Sequence, residues 1–212
     1  PGYLPPIEID AVIRSGGLGT VVASQNERFP VGATIFGMLG WQEHAVIDDT
    51  PGGAQVVPDG LDPTAVLSVF GVTGMTAYFG LLDIGQPKEG DVVVVSGAAG
   101  ATGSVVGQIA KIKGASKVVG IAGGPEKCAW LVDELGFDAA IDYKQGPVGP
   151  ELRKLCPDGI DIYFDNVGGE ILDACLANLA LKARVVCCGA ISAYNDRGEA
   201  PGLKNYFSLI TR

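Results

Sequence analysis

The second part of the sequence alternates between two patterns of apolar residues. Short continuous apolar runs, which are typical of buried strands, lie at 91–96, 117–122, 139–143, 159–166 and 183–190. Amphipathic segments with glycine or proline near their ends predict helices at 103–114, 125–136, 149–156 and 169–180. Strands that alternate with helices form parallel sheets with helices on both faces. We therefore expect a doubly wound α/β domain with five parallel strands.

The first 62 residues follow a different pattern, in which short β-type runs are broken by glycine and proline. The runs lie at 11–24, 33–47 and 54–59, and turn sequences such as Pro51-Gly52-Gly53 lie between them. About four strands are too few to close a β-barrel. A proline after Asp62 then marks the start of a helix. We therefore predict two domains, a partial β-barrel domain over 1–62 and the α/β domain over 63–212.

Both ends of the chain are abrupt. The sequence begins with Pro1 rather than methionine, and its last residues, LITR, continue a helical pattern. A doubly wound nucleotide-binding sheet commonly has six strands, one more than the sequence predicts. We therefore expect the chain to be a fragment whose last strand would follow residue 212.

Composition and charge exclude several classes of protein. Glycine accounts for 32 of 212 residues, about twice the usual share. The net charge is -9 and no basic stripe is present, so we expect neither a nucleic-acid partner nor an anionic membrane surface. No apolar run reaches the roughly 18 residues that a membrane span needs. The glycine excess in a foldable chain indicates a backbone that approaches something closely.

The cysteine and histidine residues indicate the compartment and the absence of zinc. The five cysteines all lie in the second half, their number is odd, and they form no CxxC motif. Free thiols in a reducing cytoplasm fit this pattern better than disulfides. The β-rich part contains His44 and no cysteine, whereas a catalytic zinc needs a set of Cys and His ligands. We therefore expect no metal site.

A glycine-rich turn joins the first strand of the α/β domain to its first helix. Ala98, Gly100 and Gly103 take the three glycine positions of a GxGxxG motif, between a strand and a helix. Gly100 would let a pyrophosphate approach the backbone, and Gly103 would let the helix pack on the strand. The helix N-terminus offers N–H groups and a positive dipole to phosphates. This turn therefore predicts a dinucleotide site.

The end of the next strand indicates which dinucleotide binds. No acidic residue stands at the strand tip, where an NAD site usually carries one for the ribose hydroxyl. Instead Gly123, Gly124 and a helix N-terminus offer N–H donors, and Lys127 lies in the first turn of that helix. An anion fits this arrangement better than a hydroxyl, so NADP(H) is favoured. Glu126 keeps the NAD alternative open, because it could point at the ribose.

Several segments of the sequence resemble the zinc-independent medium-chain dehydrogenases/reductases. Within that family the chain is similar to the prostaglandin reductase, leukotriene hydroxydehydrogenase and alkenal double-bond reductase group. The matching segments are 35–46, 74–81, 96–111, 123–128, 164–170 and 188–195. The resemblance implies a Rossmann domain preceded by part of a GroES-like β-barrel domain, and a homodimer in the full-length protein. It also implies reduction of the C=C bond of α,β-unsaturated ketones or aldehydes, with hydride transfer from NADPH to the β-carbon.

The resemblance also assigns cofactor contacts to residues of this sequence. It implies a pyrophosphate site at Gly100, Ala101, Thr102 and Gly103, and a 2′-phosphate site at Lys127 and Tyr143. It implies a cofactor contact from Asn166 near the tip of the fourth strand, and contacts with the nicotinamide from Cys188, Gly189, Ala190, Ile191, Ser192 and Tyr194. The sequence departs from the family at His44, where tyrosine is frequent, and at Gly124, where many relatives have serine. The departure at Gly124 removes a hydroxyl that could contact the 2′-phosphate.

Tyr194 is the candidate catalytic residue. It follows the fifth strand, at the carboxyl end of the sheet, where ligands bind in such folds. A phenol can donate a hydrogen bond to the enolate-like oxygen that develops when hydride adds to an enone. A water molecule or a ribose hydroxyl of the cofactor could supply the proton instead. Quinone reduction and a non-catalytic NADP-binding sensor are the alternative functions.

Overall fold

The computed structural model describes residues 5–48, 50, 53–195 and 202–212. The chain forms two compact units, Pro1–Val72 and Thr73–Arg212. The change in sequence pattern falls earlier, at Asp62. The predicted turn at Pro51-Gly52 lies outside the described residues.

The first unit contains a small antiparallel sheet. Its strands are β1 (Gly17–Thr20), β2 (Thr34–Gly37) and β3 (Ala54–Val56), in that order across the sheet. A small apolar cluster of Phe29, Ile35 and Ala54 packs against it. Helix α1 (Pro63–Leu67) follows, and the Asp62 side chain caps it by accepting a hydrogen bond of 2.7 Å from the Thr64 N–H. The predicted helix start at Asp62-Pro63 is confirmed.

The second unit is built on a five-stranded parallel sheet. Its strands lie across the sheet in the order β6-β5-β4-β7-β8, so the chain adds two strands on one side of β4 and then two on the other. The prediction of a doubly wound parallel sheet with five strands is confirmed. The strands are β4 (Val92–Ser96), β5 (Lys117–Ala122), β6 (Ala139–Asp142), β7 (Ile160–Asp165) and β8 (Leu179–Cys187).

Helices connect these strands and cover both faces of the sheet. Alternate residues of β4 point to opposite faces, so that Val93 and Val95 join one buried cluster while Val94 joins the other. The helices are α2 (Val72–Phe79), which continues as a π-helical segment (Gly80–Gly85), α3 (Ala101–Ile112), α4 (Pro125–Asp133), α5 (Val148–Leu155), α6 (Gly169–Leu176) and α7 (Ser208–Thr211).

The predicted boundary between the last helix and the last strand is wrong. Helix α6 ends at Leu176 instead of residue 180, and β8 begins at Leu179 and ends at Cys187. The Asn178 side chain donates a 2.7 Å hydrogen bond to the Ala174 carbonyl, and the Asn178 carbonyl accepts one from the Ile160 N–H. These bonds end the helix and start the pairing with β7. The apolar spacing of this segment fits both structures, so the sequence could not place the boundary.

The helices also bear on the question of a membrane span. None of those in the described part of the chain is long and apolar enough to cross a bilayer.

Candidate functional site

A cavity of about 570 Å³ lies at the carboxyl edge of the parallel sheet. Residues that follow β4, β5, β6, β7 and β8 contribute to its lining, so it lies where the order of the strands reverses about β4. Ligands bind at this position in open α/β sheets. Six of the residues that the sequence analysis selected line the cavity: Gly100, Gly123, Lys127, Tyr143, Ile191 and Ser192.

Three helices begin beside this cavity with a glycine as their N-cap residue. Gly100 caps α3, Gly124 caps α4 and Gly168 caps α6, and none has a side chain that could accept from the first turn. The first N–H groups of a helix have no intrahelical partner, and the helix dipole places partial positive charge there. The first-turn N–H groups of these helices are therefore candidate donors to an anion in the cavity, whose lining also includes the side chains of Lys127 and Glu170.

The turn between β4 and α3 brings main chain against main chain. Gly97 adopts a positive φ of 58°, and its carbonyl oxygen accepts a 2.9 Å hydrogen bond from the Gly100 N–H. A Cβ atom on Gly103 would overlap that carbonyl oxygen, whereas one on Gly100 would lie 3.1 Å from it with no other atom within 4 Å. Glycine is therefore needed at position 103 for helix packing, whereas a Cβ atom at position 100 would be tight against the Gly97 carbonyl oxygen alone. Ala101 and Thr102 complete the first turn of α3 beside the cavity.

The strand tips of β5 and β6 form one end of the cavity. The Tyr143 ring covers Gly123 so closely that a Cβ atom there would lie 2.8 Å from the phenol oxygen. Lys127 is exposed in the first turn of α4 and, within the described part of the chain, has no ion-pair partner. A cationic side chain, a phenol and a helix N-terminus therefore meet at this end.

Asp142 positions the start of α4 and corrects one expectation from the sequence. Its Oδ1 accepts hydrogen bonds from the Gly124 N–H (2.8 Å) and the Lys144 N–H (3.0 Å). The bond from Gly124, more than any other contact, lowers the pKa of the Asp142 carboxyl. The sequence analysis expected the Gly124 N–H to be a free donor for a ligand. In the structure this N–H donates to Asp142 and is therefore not free. Glu126, in contrast, does not line the cavity.

The opposite end of the cavity is organised by Asp165, the last residue of β7, which is 2% exposed. Its Oδ1 accepts hydrogen bonds from Ser96 Oγ (2.9 Å), the Tyr163 hydroxyl (2.6 Å) and the N–H groups of Val167 and Gly168 (both 3.0 Å). Burial raises the pKa of the Tyr163 phenol well above its ordinary value, which keeps the phenol protonated and able to donate. Asp165 thus joins β4, β7 and the start of α6.

Two other candidate residues, Asn166 and Cys188, hold the strand ends together. The Asn166 N–H donates to Ser96 Oγ (2.9 Å), and its side-chain amide donates to the Ser96 carbonyl (2.7 Å). The Cys188 N–H donates to the Asp165 carbonyl (2.8 Å). Burial, and next the charge of Asp165, raise the pKa of the Cys188 thiol. Neither side chain lines the cavity.

Tyr194 lies just after the short 3₁₀ turn Ile191–Ala193 that follows β8. Its hydroxyl accepts a 3.3 Å hydrogen bond from the Ala190 N–H, and a Cβ atom on Gly189 would lie 3.1 Å from that hydroxyl. The side chain is 56% exposed. Because the hydroxyl oxygen accepts, its own proton remains available for donation. Ala190, Gly189 and Tyr194 lie next to the cavity wall without lining it.

Sequence reasoning missed several lining residues. Four of the missed residues, at the Asp165 end of the cavity, follow β7, where a glycine-capped helix begins just as one does after β4. The same strand–loop–helix pattern in the sequence could have found them. The missed residues are Gly97, Ala99, Ala122, Val167, Gly168, Glu170 and Ile171.

Thiols and metal ligands do not form a second centre in the described part of the chain. All five cysteines are free thiols. Among residues 5–48, 50, 53–195 and 202–212, no group of three or more His, Cys, Asp or Glu side chains could hold a metal ion. The expectation of no metal site stays a prediction.

The sequence matches two models of known protein families. The model described as zinc-binding dehydrogenase matches residues 101–210, about half of the chain. The model described as the N-terminal domain of oxidoreductase matches residues 1–55.

Individual known proteins match nearly the whole chain. It is 44% identical over 205 residues to the NADPH-dependent curcumin reductase of Escherichia coli (strain K12), covering 95% of this chain and 58% of that protein. It is 41% identical over 211 residues to the 2-alkenal reductase (NADP(+)-dependent) of Nicotiana tabacum, covering 99% and 61%. The crystal structure of CurA in complex with NADPH from Vibrio vulnificus matches with a TM-score of 0.89 and 44% identity, covering 100% and 62%. The chain spans about three fifths of the length of these proteins.

The contact between Asp142 and Gly124 can be tested by titration. Because the pKa of Asp142 is lowered in the folded chain, the carboxylate and its hydrogen bonds persist below the pH at which an unfolded chain would protonate. Their contribution is present above the unfolded pKa and is lost as the pH falls through the folded pKa. We expect the Gly124 amide resonance in NMR spectra to titrate with a midpoint below 3.8.

The matched variant is Asp142→Asn, which cannot ionise and should abolish the titration of the Gly124 amide. The Gly136 amide, at the other end of the helical segment, serves as the reference that should not follow Asp142. A Gly124 midpoint at or above the ordinary value of an aspartate, or a titration that persists in Asp142→Asn, would contradict the assignment.

Proposed function

The chain belongs to the zinc-binding dehydrogenase family, the medium-chain dehydrogenases/reductases, and on this premise we propose that it reduces the carbon–carbon double bond of α,β-unsaturated ketones and aldehydes with NADPH. The observation that carries the proposal is the cavity at the carboxyl edge of the sheet, with three glycine-capped helix N-termini and Lys127 around it. The two enzymes of similar sequence are named as reductases of curcumin and of 2-alkenals, and both names include NADP.

The residues around the cavity fit a dinucleotide with three phosphate groups. The first turn of α3 offers N–H donors, and the lack of a side chain at Gly100, which lines the cavity, lets a pyrophosphate approach the main chain. Lys127 and Tyr143 offer an ammonium group and a phenol to a 2′-phosphate at the other strand tips. Bound NADPH would supply the hydride for the β-carbon of the substrate.

Tyr194 supplies the polar contact that this chemistry needs at the substrate oxygen. Negative charge develops on the carbonyl oxygen as hydride adds to the β-carbon, and a donor aimed at that oxygen lowers the barrier. The Tyr194 hydroxyl accepts from the Ala190 N–H, so that main chain orients the phenol while its proton is free to be donated. The neutral phenol brings no charge of its own to the site.

The proposal extends to the state of the protein in the cell. The five free thiols favour a reducing compartment, so we place the protein in the cytoplasm. The resemblance to medium-chain reductases favours a homodimer for the full-length protein. Light scattering after size-exclusion chromatography would measure the mass of that assembly.

The experiment that tests the function follows the absorbance of NADPH with candidate substrates, using the full length that the gene encodes. We expect consumption of NADPH with a medium-chain alkenal or a 15-keto-prostaglandin, and mass spectrometry should find the saturated carbonyl product. Consumption with a quinone alone would instead establish quinone reduction. NADPH binding without turnover of any of these would indicate a non-catalytic binding protein.

Lys127→Ala tests the 2′-phosphate site. The substitution removes a charge-assisted contact worth about 1.5–3 kcal/mol, so NADPH affinity should fall about ten- to hundredfold. NADH has no 2′-phosphate, and its affinity should change little. Fluorescence titration with both dinucleotides measures the two dissociation constants. Lys113→Ala, at the far end of α3, is the control and should leave both unchanged; equal losses for NADPH and NADH in Lys127→Ala would argue against the site.

Tyr194→Phe tests the proton donor. Removal of a donor to a developing oxyanion typically costs on the order of a hundredfold in kcat, and we expect a loss of that size with little change in NADPH affinity. Tyr206→Phe removes a hydroxyl from another exposed tyrosine and should keep wild-type kcat. A loss below about threefold in Tyr194→Phe would show that another group, such as a water molecule, serves the oxygen.

A further inference from the structure

Asp165 is a buried charged group that the proposed chemistry does not use. Its carboxylate accepts from Ser96 Oγ, the Tyr163 hydroxyl and the Val167 and Gly168 N–H groups. A buried carboxylate is costly unless such donors satisfy it, and removing one partner leaves the others unpaired. Four donors from three segments of the chain therefore depend on one side chain.

The same residue also positions the loop after β8. The Asp165 carbonyl oxygen accepts hydrogen bonds from the Cys188 N–H (2.8 Å) and the Gly189 N–H (3.0 Å). Through its side chain Asp165 holds the start of α6, and through its main chain it holds the loop that leads to Tyr194. Both segments border the same end of the cavity.

A second set of contacts joins these two segments to each other. The Ser192 N–H (3.1 Å) and Ser192 Oγ (2.7 Å) both donate to the Val167 carbonyl, and the Ile191 N–H donates to the Asn166 carbonyl (3.3 Å). Gly168, Ile191 and Ser192 line the cavity. The wall at this end is thus one hydrogen-bonded unit, with the Asp165 carboxylate at its buried side.

The strand order separates this wall from the other end of the cavity. Lys127 and Tyr143 follow β5 and β6, on one side of β4, whereas the Asp165 wall follows β7 and β8, on the other side. If a 2′-phosphate binds at Lys127 and the pyrophosphate at α3, as the proposed function holds, the nicotinamide half extends toward the Asp165 wall. The contacts of Asp142 belong to the adenosine end instead.

We propose that Asp165 is a positioning residue that shapes the nicotinamide half of the cavity and leaves the adenosine half unaffected. This assignment rests on the proposed function, because that function gives the direction of the dinucleotide. Asp165 contacts no reacting atom; its carboxylate holds the Val167 and Gly168 N–H groups, and the Val167 carbonyl in turn holds Ser192 in the loop that leads to Tyr194. The two halves of the cofactor should therefore respond differently when the carboxylate is changed.

The test measures the affinity of each variant for NADPH and for 2′,5′-ADP, which carries the adenosine half alone. Asp165→Asn removes the negative charge and replaces one carboxylate oxygen with an NH2 group that cannot accept from the Gly168 N–H, so NADPH affinity should fall about tenfold or more. Affinity for 2′,5′-ADP should stay within about twofold of wild type. Calorimetry well below the melting temperature, with the protein in its full length, gives both constants.

Three further variants separate positioning from general destabilisation. Leu176 is the last residue of α6, the helix whose start Asp165 holds. Leu176→Ala removes buried volume there and should lower Tm without changing the ratio of the two affinities. Asp142→Ala disturbs the adenosine end and should weaken both ligands alike. Tyr163→Phe removes one donor to Asp165 and should weaken NADPH selectively, by less than Asp165→Asn does, which keeps the test available if Asp165→Asn does not fold.

Equal losses for NADPH and 2′,5′-ADP in the Asp165 and Tyr163 variants would overturn the assignment, as would no loss for either ligand. A wild-type protein that binds neither ligand would overturn the proposed function itself, and the assignment with it. Selective loss of NADPH affinity, together with an unchanged ratio in Leu176→Ala, is the result that supports the positioning role.

Discussion

The close contact between two main-chain segments at the start of α3 is the constraint on which the rest of the α/β unit depends. Helix α3 can begin directly above β4 only because Gly103 leaves room for the Gly97 carbonyl. This approach directs the first-turn N–H groups of α3 toward the centre of the carboxyl edge, between the strands on either side of β4. A side chain at position 103 would push the helix away and remove the donors from the cavity.

Two carboxylates beside this cavity, those of Asp142 and Asp165, hold its walls in place. The protein carries a net charge of -9, yet its proposed cofactor is a polyanion. Asp142 and Asp165 present little unpaired charge to the cavity, because each of them accepts hydrogen bonds from main-chain N–H groups next to it. Their charges are thereby balanced locally, while the first turn of α3 and Lys127 are left for phosphate groups.

Much of the architecture followed from local patterns. The alternation of apolar runs with amphipathic segments predicted the five parallel strands, and the family resemblance drawn from short motifs is confirmed by the match over residues 101–210. Lys127 was predicted from its place in the first turn of the helix that follows β5, whereas Tyr143 and Ser192 were assigned by the family resemblance, and all three line the cavity. The end of α6 was misplaced, since the Asn178 contacts that stop the helix are tertiary.

The sequence by itself determined the order of strands and helices and the glycine turn, because these depend on residues close together in the chain. Only the tertiary structure decided how the polar groups are used. Ser96 and Asp165 are 69 positions apart, and Gly124 and Asp142 are 18 apart, so no local pattern could pair them. Their hydrogen bonds form only when the folded sheet brings the strand ends together and excludes the water that would otherwise satisfy each group.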